Sequence, residues 1–184
     1  MKLSIREMVL ISLFTALTAI GAFLNIPIGD VPITLQSMFT LLSGLLLGPK
    51  LGALSQLIYL ILGLSGMRIF AGFTGGPQAI FKPSFGFLIG FIFASFAVGR
   101  IRRIKRMVNI WDMVLATSLG TLIIYLFGIP YMYIILNKVM GQTISFAFAI
   151  KMGCLVFLPG DALKVILTSL IAYRISRNST IPRL

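Results

Sequence analysis

The sequence predicts an all-α integral membrane protein of six transmembrane helices, forming one domain over residues 1–184. Three observations predict it. Hydrophobic residues make up 58% of the chain and charged residues 11%, with a mean hydropathy of +1.04, a balance foreign to soluble domains. The apolar residues fall in long runs, and a run of roughly 20 suffices for a helix to cross the hydrocarbon layer. The basic residues behind the net charge of +12 collect at the ends of those runs, as positive-inside ordering requires. They are not interleaved with a soluble aromatic fold, so the charge does not call for nucleic acid.

The first span is read as residues 6–24. Lys2 and Arg6 precede it, but no A-x-A site follows and the run is long for a signal peptide, so it reads as uncleaved. Small residues recur along it: Ser12, Thr15, Ala16, Thr18, Ala19, Gly21 and Ala22. The pairs Ser12/Ala16 and Thr15/Ala19 are small-x-x-x-small faces, which let helix backbones approach closely in lipid. Packing within the chain and docking on another subunit both fit that pattern. The turn-rich segment 25–32 leads to short spans at 33–47 and 51–64, joined by Gly48-Pro49-Lys50. Their shortness predicts helices shielded by protein or ending at a cavity.

Residues 65–83 form a long connection holding Arg68, Gly72, Gly75, Gly76 and Lys82. It is also apolar, with Met67, Ile69, Phe70 and Phe73, so it is expected to fold back on the helices as a lid. Its glycines would let backbone approach a ligand. The fourth span is read as 84–98, followed by a basic loop from Arg100 to Arg106. The fifth is read as 111–136 and the sixth as 144–173. Lys2, Arg6, Lys50, the Arg100–Arg106 cluster and the tail arginines share one side, which places both termini in the cytoplasm and segments 25–32, 65–83 and 137–142 outside. The basic cluster can also meet membrane lipid head groups, although topology alone explains it.

The sixth span carries the most informative residues. Asp161 and Lys164 stand inside its apolar run, where an ionisable side chain costs about 2.5–3.5 kcal/mol on insertion scales. Three residues apart on a helix, they share one face at about 4.5 Å along the axis and can neutralise each other. Pro159-Gly160 just before them is expected to weaken the helix and free backbone groups beside a cavity. A polar ligand site is the default reading of such a pair; an ion pair that only pins two helices is the plainer one.

Several function classes are poorly served. The chain has no histidine, four acids and a single cysteine, Cys154. No catalytic site, metal site, internal disulfide or cofactor is expected, and the protein is read as no enzyme.

Stretches in order along most of the chain resemble the biotin-specific S components of energy-coupling-factor transporters, the BioY family. They include Val31-Pro32-Ile33-Thr34-Leu35-Gln36, Leu47-Gly48-Pro49-Lys50-Leu51-Gly52-Ala53, Phe70-Ala71-Gly72, Tyr125-Leu126-Phe127-Gly128-Ile129-Pro130-Tyr131 and Phe157-Leu158-Pro159-Gly160-Asp161-Ala162-Leu163-Lys164. Lys82-Pro83-Ser84-Phe85-Gly86 departs from the family's more typical Gly-Pro-Thr-Gly-Gly. The resemblance implies capture of extracellular biotin in a bacterial plasma membrane, with a transmembrane T component and cytoplasmic ATP-binding subunits as partners. The chain has no G-x-x-x-x-G-K-[ST] phosphate loop, so pumping would be driven by another chain. It further implies that Asp161 accepts the ureido N–H groups and Lys164 donates to the ureido oxygen. Gln36 and Thr34 would add polar contacts, Tyr59 and Phe70 would pack on the rings, and Tyr131 is a weaker candidate. The carboxylate would meet Lys82, Arg68 or backbone N–H groups near Gly72–Gly76. The alternatives are an S component for riboflavin or thiamin and a stand-alone secondary carrier; inverted repeats or a second intramembrane ionisable cluster would favour the carrier, and neither is evident in the sequence.

Overall fold

The structure, a computed structural model, describes residues 3–27, 29–105 and 109–178. Lys2, Arg106 and Arg183 of the predicted basic side lie outside them. Helix α1 spans Ile5–Phe23 and opens on a capping box, in which Ser4 Oγ accepts from Glu7 N at 3.2 Å and Glu7 returns a carboxylate oxygen to Ser4 N at 2.8 Å. A two-residue antiparallel ladder, β1 (Asn25–Ile26) with β2 (Ile33–Thr34), closes the segment that follows. Helix α2 is Gln36–Leu47 and α3 is Pro49–Leu64. The second span therefore begins three residues later than the sequence predicts, because 33–34 pair as a strand. Pro49 starts α3 at the position where a missing N–H is harmless.

Helix α4 spans Phe85–Lys105, so the predicted basic loop is helical through Lys105. Arginine and lysine are good helix formers, and their long stems carry charge away from the apolar body. Helix α5 is Ile110–Ile134 and runs into a π-helical turn at Ile135–Val139. The predicted sixth span is two helices: α6 (Phe146–Ile150), extended by a π-helical turn Lys151–Leu155, and α7 (Leu158–Asn178). The two parts meet at a bend of 42°. Pro159-Gly160 does not make that break. Both residues lie in the first turn of α7, where Pro leaves no hydrogen bond unmade, and the discontinuity falls at Val156-Phe157.

Helices α1, α4 and α5 are each long and apolar enough to cross a membrane, and the bent α6–α7 pair passes the same test together. Helices α2 and α3 are apolar but shorter. Helix α2 packs against α1, α3, α4 and α7, and eight of its twelve residues are buried. Protein thus covers much of what lipid would otherwise have to match. Large apolar side chains such as Leu13, Phe93, Leu119, Leu122, Leu126 and Ile166 stay exposed on the outer helices, as a lipid-facing surface requires.

Small residues set the closest helix approaches. A Cβ at Gly44 would lie 2.5 Å from the Ser95 carbonyl oxygen, and one at Gly52 would lie 2.5 Å from Ser95 Oγ and 3.1 Å from Gly44 Cα. Helices α2, α3 and α4 therefore meet almost backbone to backbone. Beside that point Gln56 Oε1 accepts from Thr40 at 3.0 Å, its Nε2 donates to Ser55 Oγ at 3.1 Å, and Ser43 and Ser95 share a bond of 2.8 Å. Among the described residues no buried side-chain nitrogen or oxygen lacks a partner, the condition a membrane interior imposes.

The two ends of the bundle differ. The start of α3 lies against the end of α4, since a Cβ at Gly99 would touch Gly48 and Pro49. The end of α4 also reaches the end of α7 through Arg102 Nη2 donating to Ser176 Oγ at 3.4 Å. Lys50, Arg100, Arg102, Arg103, Arg174 and Arg177 all belong to those helix ends. The ladder and the segment from Ser65 to Ser84 join the opposite helix ends. That segment holds Phe73 at φ 55°, a strained value for a non-glycine residue, with its ring stacked on Phe23 at 4.7 Å.

Substituting Gly44→Leu forces α2 and α4 apart. We expect a loss of about 1–3 kcal/mol, read as a lowered melting temperature in detergent relative to the unaltered protein.

Candidate functional site

Helix α7 brings Asp161 into its first turn and Lys164 one turn later. Both are buried, at 8% and 7% exposure. Asp161 Oδ1 and Lys164 Nζ form an ion pair, while Tyr125 of α5 donates its hydroxyl proton to Asp161 Oδ2. Lys164 Nζ donates further to the Thr34 carbonyl at 3.1 Å and to Ser37 Oγ at 3.0 Å. Each carboxylate oxygen thus has a partner, and the ammonium has three acceptors, its full donor capacity. The N-terminal end of α7 adds favourable backbone dipoles to the Asp161 carboxylate.

The local sequence explains why Thr34 presents its carbonyl. Thr34 Oγ1 accepts from Gln36 N at 3.3 Å and donates to Gln36 Oε1 at 3.1 Å. The hydroxyl is occupied at the start of α2, and the carbonyl is left for Lys164. Leu35 N donates to the Gly21 carbonyl at 3.1 Å, which ties this corner to α1.

The ion pair lines a cavity whose walls come from four regions. The ladder segment and the start of α2 supply Val31, Pro32, Thr34, Gln36 and Ser37. The long connection supplies Phe70, Ala71, Thr74, Ala79 and Lys82. Helix α4 supplies Phe85, Phe87, Leu88 and Phe91, and α5 with the α6–α7 corner supplies Ile124, Tyr125 and Phe157. Polar groups on α2, α5 and α7 therefore face an aromatic and aliphatic lining, the usual make-up of a small-molecule site. A neighbouring recess shares Thr74, Ala79 and Lys82 and adds Arg68, Phe73, Gly75 and Gln78. Among the described residues no cluster of three or more potential metal ligands exists.

The model of the BioY family matches residues 1–180. The chain belongs to that family. A probable biotin transporter BioY from Pyrococcus horikoshii is 40% identical over 174 residues, covering 95% of this chain and 98% of that one. A biotin transporter BioY from Thermotoga maritima is 34% identical over 172 residues, covering 94% and 96%. A crystal structure at 2.1 Å of the S-component for biotin from an ECF-type ABC transporter aligns with a TM-score of 0.84 at 30% identity, covering 95% of this chain and 93% of that chain. These matches agree with the resemblance read from the sequence.

Within this BioY chain the sequence-predicted residues divide clearly. Asp161, Lys164, Gln36, Thr34, Phe70 and Lys82 line one cavity. Tyr59 does not line it. Its ring is 1% exposed and packs edge-on against Phe70, and its hydroxyl bonds to Gln36 and to backbone. Gly72 is exposed at a turn with φ +72°, and it lines neither the cavity nor the recess. Arg68 lines only the recess, and Tyr131 donates to the Ile80 carbonyl away from the cavity. Of the proposed partner-facing residues, Ser12 and Ala16 are exposed and Ala19 is half-buried. Thr15 points inward instead, donating to the Ser55 carbonyl of α3 at 3.0 Å.

The sequence reading assigned no role to Tyr125 or Ser37. A phenol in the middle of a long apolar helix is a usable signal for Tyr125, since a buried hydroxyl needs a partner. Nothing local marks Ser37, whose bond to Lys164 spans 127 positions.

Removing one charge strands the other in an apolar setting. Asp161→Asn and Lys164→Met should each destabilise the protein by about 3–5 kcal/mol, and the double variant should lose much less than their sum. A thermal-melting double-mutant cycle in detergent measures this; simple additivity would mean that the charges do not interact.

Proposed function

We infer that this chain is the membrane-embedded biotin-binding S component of an energy-coupling-factor transporter. It acts as a substrate-binding subunit, not an enzyme, within the cell membrane. Membership of the BioY family supports this, as do the solved S-component for biotin and the BioY relatives. The observation that carries the reading is the buried Asp161–Lys164 pair lining a largely apolar cavity. Biotin has a polar ureido head, an apolar bicyclic body and an anionic tail. Asp161 accepts from the ureido N–H groups, and Lys164 donates to the ureido oxygen. Ligand groups then replace or share partners that the pair holds in the structure. Gln36 adds an amide contact, and Phe70 with the α4 aromatic residues encloses the rings. Lys82 meets the carboxylate from the cavity wall, with Arg68 close by in the recess.

The whole chain works as one domain of six spans, counting α2, α3 and the α6–α7 pair as one each. The basic helix ends lie in the cytoplasm with both termini, and the segment from Ser65 to Ser84 covers an outward-opening cavity as a lid. Ser12 and Ala16, with the edge of Ala19, form the exposed small-residue face of α1 that meets the T component. Cytoplasmic ATP-binding subunits supply the energy.

Asp161→Asn and Lys164→Ala should each weaken biotin binding by about thirtyfold or more, the consequence of truncating one member of a buried hydrogen-bonded pair. Calorimetry in detergent reads this, with riboflavin and thiamin as comparators that give no heat. Unchanged affinity in either variant removes that residue from the site. Separately, Ala16→Trp should lower the yield of complex co-purified with the T component while biotin affinity stays the same. Equal yield would leave the outer face of α1 to lipid alone.

A further inference from the structure

Three contacts hold the two halves of the Ser65–Ser84 segment without touching the cavity wall. Phe73 stacks on Phe23 of α1, the Gly76 N–H donates to the Gly63 carbonyl at 2.7 Å, and Tyr131 of α5 donates to the Ile80 carbonyl. A fourth contact is different. Tyr59 of α3 donates its hydroxyl proton to the Ile69 carbonyl at 2.9 Å and accepts from Gln36 Nε2 at 2.7 Å. Gln36 lines the cavity, and so do Phe70 and Ala71, the residues that follow Ile69. The Tyr59 ring also packs edge-on against Phe70 at 5.5 Å between centroids.

We propose that Tyr59 is a positioning residue that latches the lid to the state of the ligand site, through the donor chain Gln36 Nε2 to Tyr59 hydroxyl to Ile69 carbonyl. This rests on the biotin-binding reading above. The chain runs in one direction. The Gln36 carboxamide is oriented at its oxygen by Thr34 Oγ1, and one of its two N–H groups goes to Tyr59. The second N–H is available to an acceptor in the cavity. A ligand acceptor there fixes the carboxamide, and hydrogen bonds in series strengthen one another in a low-dielectric interior. Fixing Gln36 therefore fixes the Tyr59 hydroxyl, and with it the backbone at Ile69. Phe70 and Thr74 follow, because they exchange backbone hydrogen bonds of 2.9 and 3.3 Å. With the cavity empty, Gln36 loses that restraint and the lid half from Ile69 to Gly76 opens more often.

Two measurements test it on the full chain in detergent. In the unaltered protein, amide hydrogen exchange at Phe70, Thr74 and Gly76 should slow on adding biotin. Equal exchange with and without biotin overturns the latch, whatever any variant does. In Tyr59→Phe, which keeps the ring and removes the hydroxyl, biotin should dissociate about three- to tenfold faster, the factor expected for one internal hydrogen bond. Its association rate should be unchanged, and the biotin-dependent protection of those amides should be lost. A merely structural role for Tyr59 would lower the melting temperature without separating the two rates, and a wild-type dissociation rate would overturn the proposal. Tyr131→Phe serves as the comparator, keeping the biotin-dependent protection at Phe70 and Thr74. Failure of the unaltered protein to bind biotin would strike the underlying functional reading; binding without any change in exchange would strike the latch alone.

Discussion

A charge that leaves water must find its counter-charge and its hydrogen bonds inside the protein, or it is not kept. Asp161 and Lys164 meet that demand with a helix start, a neighbouring phenol, a backbone carbonyl and a serine hydroxyl. Each partner comes from an element that must be correctly placed for the pair to survive. The β1–β2 ladder and the Leu35–Gly21 bond hold the Thr34 carbonyl in position, α2 carries Ser37, and α5 carries Tyr125. The break between α6 and α7 allows Asp161 to occupy a first helical turn, where backbone dipoles favour a carboxylate. Much of the bundle at this end can be understood as support for one pair of opposite charges.

Away from that pair the packing follows the rules of a lipid solvent. Apolar side chains gain little by leaving lipid for protein, so helix contacts rely on close approach and internal hydrogen bonds. Gly44 and Gly52 with Ser95 bring three helices together. Thr15, Thr18, Thr40, Ser43, Ser55 and Gln56 join α1, α2 and α3 through a fully buried polar network. That network also accounts for the brevity of α2. An enclosed helix need not match the thickness of the membrane, because its neighbours do.

The segment between α3 and α4 is long for a connection, yet it is packed at several points and supplies a cavity wall. Its strained Phe73 and its positive-φ glycines show a backbone shaped by the fold around it, not a free linker. The wall is pinned to the helices by a few separable contacts. The bonds from Tyr59 and Tyr131 anchor its two halves to different helices, so the halves need not move together.

What the sequence by itself determined is mostly what short-range physics writes into a chain. Apolar run lengths mark the long helices, charge at run ends gathers at one end of the bundle, and a three-residue spacing puts Asp161 and Lys164 on one helical face. The ordered motifs added the family. The tertiary structure decided where the last span bends, which way Thr15 faces, that Tyr59 stands behind the cavity wall, and that Tyr125 and Ser37 complete the charged cluster. The physical reason is shared by all of these. In a membrane protein an apolar side chain suits lipid and core alike, so periodicity does not reveal which face turns inward. Contacts between residues 36 or 127 positions apart arise only when the helices pack.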